Sequence, residues 1–391
     1  MSLEPDYLLS PPSVADIVVI GAGMTGVSVA YWLKRLYGRT CLILDARGVA
    51  GGATGRNGGH LWPRPGSDFE SGVTHELLQF IAEQKLSCDL NTQLGSVAVD
   101  GSVGVEFGES AADDVEDEAE KLQNWEGEGV REWGQDECRK SLNTDAFQSA
   151  LFYPSAIQFF PAKVAQRLLE VSGAIACCPA VVSAIEHEDA EGRVWVRTDR
   201  GDVSAAIVVV ATNAWAGELV PELTPFLTPT RNHVLMTAPL PGAQSWKVGG
   251  LSAGDASKEI YAIMRSDGRV CIGGARALEG GALGSMDDSS LSEVCSSALK
   301  RFLSQGFPAL GFTDKLVESE WTGLLGLSKD GCPLCGRLPQ RPNVFVAVGF
   351  SGHGMPQCFG VGKGIAQWIE EGEQNVHPFL LGPANVRRFL S

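Results

Sequence analysis

Residues 15–26 read Ala-Asp-Ile-Val-Val-Ile-Gly-Ala-Gly-Met-Thr-Gly: a short apolar run that breaks into glycines and resumes with helical apolar spacing as far as Gly38. This pattern predicts a buried strand over 15–20, a helix over 24–37 stopped by Gly38, and a second strand over 40–44. The right-handed crossover rule makes the two strands parallel in one sheet.

Between the first strand and the helix, Gly21-Ala22-Gly23-Met24-Thr25-Gly26 has the G-x-G-x-x-G spacing of a dinucleotide fingerprint. Gly21 permits the tight turn, Gly23 lets a pyrophosphate approach the backbone, and Gly26 allows close helix packing. The helix N-terminus adds amide donors and the positive end of a dipole. Asp45 closes the second strand. An acidic side chain there binds adenosine ribose hydroxyls; the alternative is a solvent-facing strand end.

Outward from this unit, 391 residues at about 150 per domain predict two to three domains. Hydrophobic residues at 44% and charged residues at 20% exclude wholesale disorder and fibrous classes. A net charge of -16 argues against nucleic acid and anionic membrane surfaces as partners. Much of the excess falls in 109–137, where twelve acidic residues face only Lys121 and Arg131, and reads as a solvated helical surface. No stretch reaches the roughly 18 apolar residues of a membrane span, and no signal peptide is recognisable, so a cytoplasmic location is expected. Ten cysteines without framework spacing suit reduced thiols. The histidines show no ligand spacing, so no metal is expected.

Further along, a helix is predicted over 162–171, strands over 180–186, 194–198 and 206–211, antiparallel strands within 96–107 and 232–272, and a last strand and helix over 344–348 and 362–371. The alternation implies a cofactor domain assembled from three chain segments.

The run Gly51-Gly52-Ala53-Thr54-Gly55-Arg56-Asn57-Gly58-Gly59-His60 follows the acidic strand directly, where a nicotinamide fold usually has a helix. With it the chain resembles the D-amino-acid oxidase-like FAD superfamily, in the branch of glycine, sarcosine and gamma-glutamylputrescine oxidases. Further signatures follow in family order: residues 153–163 (YPSAIQFFPAK), Ala211-Thr212-Asn213-Ala214-Trp215, Glu320-Trp321-Thr322-Gly323, Asp330-Gly331-Cys332-Pro333, and Gly349-Phe350-Ser351-Gly352-His353-Gly354-Met355.

The resemblance implies an α/β chain, α+β overall, in which a Rossmann-like FAD-binding domain of the glutathione-reductase type (1–90, 152–226, 319–391) is interleaved with an antiparallel substrate domain (91–151, 227–318). It implies FAD contacts from Gly21, Gly23, Met24, Thr25 and Gly26; from Asp45, Ala46 and Arg47; from Ala53, Thr54, Arg56, Asn57, Gly58, Gly59 and His60; from Val182, Asn213 and Trp215; and from Gly349, Gly352, His353, Gly354 and Met355. Related branches attach flavin covalently through a cysteine at the place of Gly323 or a histidine at the place of Arg56. Both attachment residues are missing, so the FAD is expected to be noncovalent.

The implied reaction is oxidation of a C–N bond of a small-molecule amine or amino acid to an imine, by hydride transfer to FAD, with O2 or another acceptor taking the electrons. The alternatives are a tailoring oxidoreductase of a larger metabolite and a noncatalytic flavin-binding scaffold. Candidate catalytic residues are His353, Tyr261, His60 and Arg265. His353 equally reads as a residue shaping the glycine loop, and His60 either lines the flavin face or packs beneath it. Arg265 and Arg276 read first as strand-end surface residues and second as carboxylate binders. Arg231 falls where the family has a structural arginine. The sarcosine-oxidase branch activates oxygen with a lysine where this chain has Cys271, and carries another lysine where it has Pro356. The first departure argues against fast use of oxygen, and the second, at a lysine that helps bind the substrate carboxylate in that branch, argues against a simple N-methyl amino acid. Cys332-Pro-Leu-Cys335 and Cys177-Cys178 read as packing rather than thiol chemistry.

Overall fold

The computed structural model describes residues 7–99, 129–188, 192–254 and 260–390; most of the acidic run 109–137, the far end of the 96–107 strand, and Glu259 fall outside them. The chain opens with β1 (Val14–Ile20), α1 (Met24–Tyr37) and β2 (Leu42–Leu44). Gly38 ends α1 in the left-handed conformation (φ 67°), its N–H donating to the Lys34 carbonyl and that of Arg39 to the Leu33 carbonyl. Strand β2 is shorter than predicted. The glycine run contains a one-turn helix, α2 (Ala53–Arg56), before β3 (His60–Leu61) and α3 (Asp68–Glu83).

The middle of the chain comprises β4 (Ser96–Val99), β5 (Arg131–Gly134), α4 (Gln135–Leu142), β6 (Ser149–Tyr153), β7 (Ile157–Gln158), α5 (Pro161–Ser172), β8 (Ile175–Cys177), β9 (Val182–Glu188), β10 (Val194–Thr198), β11 (Val203–Val210), α6 (Ala216–Leu219) and β12 (Leu227–Thr237). It closes with β13 (Gly250–Ala253), β14 (Ile260–Met264), β15 (Val270–Gly274), α7 (Glu293–Gly306), β16 (Val317–Ser328), β17 (Leu334–Leu338), β18 (Arg341–Val348), α8 (Cys358–Glu371) and α9 (Pro378–Leu381).

One sheet runs β17-β18-β11-β1-β2-β8, with β10 on β11 and β9 on β10. Strand β1 is parallel to both β2 and β11, as predicted for its crossover. Its residues alternate between two cores: Ile17 and Val19 pack with Val27 and Leu33 of α1, while Val18 and Ile20 pack with Val208, Val210 and Leu223. Burial on both faces explains why the strand is continuously apolar.

The second sheet runs β16-β12-β15-β14-β13-β4-β6-β5. It is not wholly antiparallel: β4 and β13 pair in parallel. The chain travels from residue 99 to residue 250 between them, and so long a crossover can return a strand in the same direction. Strand β16 crosses residue 319 and pairs with β12 along its length. Helix α7 packs Leu299, Phe302 and Leu303 into this sheet's core with Leu235 and Ile272.

Candidate active site

A cleft of about 650 Å³ opens where the carboxyl ends of β1 and β2 meet the loop after β18 and one end of the second sheet. This size suits a large small-molecule ligand. Its wall includes Gly21, Gly23, Met24, Thr25, Asp45, Ala46, Arg47, Ala53, Thr54, Asn57, Val182, Asn213, Trp215, Gly352, Gly354 and Met355, gathering predicted residues from across the chain.

The local chemistry explains the gathering. Gly21 has φ 110°, and a Cβ there would lie 2.6 Å from the Ala211 carbonyl oxygen; a Cβ on Gly26 would lie 1.9 Å from the Gly21 oxygen. These two glycines thread the turn between β1, β11 and α1. Asp45 accepts the N–H of Ala22 (2.8 Å) on one carboxylate oxygen and those of Arg47 and Gly48 (2.8 and 2.9 Å) on the other, tying the glycine turn to the end of β2. Thr54 Oγ1 accepts the Met24 N–H at 2.8 Å, so α2 is seated on the first turn of α1. Asn57 donates to the carbonyls of Ala53 and Thr54 and accepts from Gly59 N–H, which turns the chain out of α2. On the opposite wall, Asn213 Oδ1 accepts the N–H of Gly349 (3.0 Å) and Phe350 (3.4 Å), holding the glycine loop.

Other predicted residues stand outside the cleft wall. Gly26 lies inside α1. Gly349 is placed behind the loop against Leu227 and Leu334. Gly58 faces Ile263 and Tyr261, and Gly59 faces the Phe159 carbonyl, each too closely for a side chain. Arg56 turns toward β16, donating from Nη1 to the Thr322 and Asp288 carbonyls (both 2.9 Å) and from Nε to Gly51 O (3.1 Å).

Of the catalytic candidates, His60 is packed within the protein: its Nε2 is 2.6 Å from Ser96 Oγ, its ring packs on Trp62, and burial pushes its pKa down to about 3. His353 pairs through Nε2 with the buried Glu70 carboxylate at 2.9 Å. The Arg265 guanidinium is already engaged within the fold. Its guanidinium donates to Asp89 (2.9 Å) and the Phe159 carbonyl (3.3 Å) and lies over the Phe160 ring, because the chain after β14 turns back onto the segment before α5. Tyr261, on β14, packs against Gly58 and Gly273, with Asn232 Nδ2 at 3.4 Å from its hydroxyl. Arg276 starts a short turn after β15. Arg231 pairs with Glu279 and Asp287, the structural role expected of it.

Sequence reasoning missed Thr212, Glu218, Met286, Asp288, Leu324 and Leu325, which also line the cleft. Leu324 and Leu325 follow the quoted Trp321-x-Gly323 element, which was the available signal; Asp288 sits in an unmarked Met-Asp-Asp-Ser-Ser run and carried none. Cys335 is buried, Cys332 is half-buried, and neither is in a disulfide. Burial pushes the Cys271 thiol up to about 12. Among the described residues no cluster of His, Cys, Asp or Glu is placed to hold a metal, and no helix is long and apolar enough to cross a membrane.

Known proteins are similar to this chain in sequence and in fold. Gamma-glutamylputrescine oxidoreductase of Escherichia coli (strain K12) is 25% identical, over 93% of this chain and 86% of its own length. Glycine oxidase of Geobacillus kaustophilus (strain HTA426) is 23% identical over 96% of this chain and 97% of its own. The crystal structure of glycine oxidase from Geobacillus kaustophilus superposes with a TM-score of 0.76 at 19% identity, covering 96% of this chain and 99% of that one, which shows a common fold. The family model for FAD dependent oxidoreductases, DAO, matches residues 16–368. The chain, with its glycine turn, acidic strand end and C-terminal glycine loop walling one cleft, therefore belongs to the DAO family of FAD dependent oxidoreductases.

Proposed function

We propose that this oxidoreductase removes a hydride from the carbon beside an amine nitrogen of an amine or amino acid, leaving an imine. The observation that carries the reading is the single cleft shared by the first turn of α1, Asp45 and the loop 352–355. The cradle fits FAD. The N-cap of α1 is a glycine without a side-chain cap, and the Thr212 hydroxyl in the cleft wall is a buried polar atom with no protein partner. Such groups are satisfied by a polar ligand.

Gly21, Gly23, Met24 and Thr25 would hold the pyrophosphate, Asp45 and Arg47 the adenosine side, and Asn57, Gly352, Gly354 and Met355 the flavin side. When bound, FAD supplies the two-electron acceptor. The chain's own task is to orient and to exclude water. Leu324, Leu325, Phe350 and Met355 give the cleft an apolar wall, which strengthens every polar contact inside it. Asn213 preorganises the glycine loop, so its amides need no rearrangement when charge develops nearby.

The FAD is held noncovalently in this reading. The two positions at which related branches carry attachment residues meet in space: a Cβ on Gly323 would lie 3.2 Å from Arg56 Cβ. Neither residue offers a nucleophile. With Cys271 buried in place of the oxygen-activating lysine, an acceptor other than O2 is favoured.

Anaerobic mixing with a panel of amines and amino acids, followed at about 450 nm where oxidised flavin absorbs, tests the reading. Bleaching identifies a reducing amine, and slow recovery in air marks a dehydrogenase. A yellow protein that no amine bleaches refutes the amine assignment.

A further inference from the structure

Glu70 lies in the first turn of α3, and its side chain is 2% exposed. Three hydrogen bonds converge on its carboxylate, and the Arg64 guanidinium lies 3.5 Å from Oε1. The Arg64 N–H reaches Oε2 at 2.7 Å, His353 Nε2 reaches the same oxygen at 2.9 Å, and Gln357 Nε2 reaches Oε1 at 2.7 Å. Burial pushes this carboxyl's pKa up, but the hydrogen bonds from His353, Arg64 and Gln357 hold it below its ordinary value. It is therefore ionised at neutral pH and only accepts.

An acceptor-only partner dictates which ring nitrogen carries the proton. Nε2 must donate to Glu70, which leaves Nδ1, a nitrogen without a hydrogen-bond partner among the described residues. His353 stands between Gly352 and Gly354, both in the cleft wall, and its own N–H is held by the Phe350 carbonyl at 2.8 Å. The backbone and one ring nitrogen are thus fixed, and the second nitrogen is unpartnered, on a residue whose two glycine neighbours wall the cleft although its own side chain does not.

We propose that Glu70 is a positioning residue for the oxidation: through the Nε2–H of His353 it fixes the tautomer and orientation of the imidazole, so that Nδ1 is available to accept a proton or hydrogen bond from the substrate amine. This rests on the amine-oxidation reading of the cleft. A carboxylate kept only to tether the loop would be a costly choice, since a neutral amide tethers without the desolvation penalty of a buried charge.

Two substitutions at His353 separate the nitrogens. Gln places a donor where Nε2 is and nothing at Nδ1; Asn places a polar group at Nδ1 and loses Glu70. His353→Gln is expected to keep the thermal midpoint and the flavin spectrum while kcat falls about 10- to 100-fold, the range typical of lost supporting groups, with KM nearly unchanged. His353→Asn is expected to lower the midpoint. Glu70→Ala is expected to lower kcat, and to cost little more when added to His353→Gln.

Imidazole nitrogen NMR of the full chain above neutral pH, with the His353 signal assigned by its loss in His353→Asn, reads the tautomer without turnover. An Nε2–H ring supports the assignment and an Nδ1–H ring overturns it. Wild-type kcat in His353→Gln also overturns it, leaving only a loop tether. If no amine bleaches the flavin, the amine reading fails, while the NMR result still decides the tautomer.

Discussion

Asp288 Oδ2 lies 2.6 Å from Arg47 Nη1, joining the loop before α7 to the segment that follows Asp45. The same oxygen is 3.1 Å from Arg56 Nη1. Arg47 also lies over the Trp215 ring, 5.3 Å from its centroid. One carboxylate from the second sheet's side of the molecule therefore closes a wall of the cofactor cleft by binding two arginines from the other side.

Asp288→Asn should weaken that closure. Partly exposed ion pairs contribute up to about 1 kcal/mol, so FAD affinity is expected to fall about fivefold. Titration of the apoprotein with FAD, followed by flavin fluorescence, measures it; an unchanged affinity would show that the clasp does not bear on the cofactor.

Two glycines should respond in opposite directions to alanine. Gly26→Ala forces a methyl group to within 1.9 Å of a backbone oxygen and should destabilise by about 3 kcal/mol. Gly72, inside α3, has open space at its Cβ, so Gly72→Ala should stabilise by about 0.5–1 kcal/mol through helix propensity. Urea unfolding of both variants checks the contrast.

His60 makes stability depend on pH. Its folded pKa is pushed down to about 3 by burial, from an ordinary 6.5. Between these values the unfolded chain binds one more proton than the folded one, so stability falls as pH drops through that window and is fully present above it. Comparing urea midpoints at about pH 7 and about pH 5, His60→Gln is expected to show a shallower loss than the wild type.

Arg265→Met should cost about 1–2 kcal/mol of stability, because it removes the bonds to Asp89 and Phe159. The substrate KM should stay within about twofold. A large rise in KM at constant thermal midpoint would return Arg265 to the substrate pocket.

The sequence by itself determined which glycine-rich segments and which strand end meet around the cleft. Glycines at residues 21, 23 and 26, Asp45, and the loop 349–355 are local backbone requirements: a tight turn, a helix start, a strand end and a chain that must lie close to a ligand. Such requirements leave a spaced signature in neighbouring residues. The first strand, helix α1 and its Gly38 cap were legible for the same reason, since periodicity and capping act over one or two turns.

Only the tertiary structure decided the partners of the long polar side chains. Arg265 on Asp89, Arg47 and Arg56 on Asp288, and His353 on Glu70 are contacts between residues far apart in the chain. Their pairing depends on how distant chain segments are brought together by the fold, not on local spacing. The parallel pairing of β4 with β13 was likewise invisible, because strand direction is set by a crossover of some 150 residues rather than by either strand's own sequence. An arginine reads the same on a free strand end as beside a carboxylate brought to it by folding.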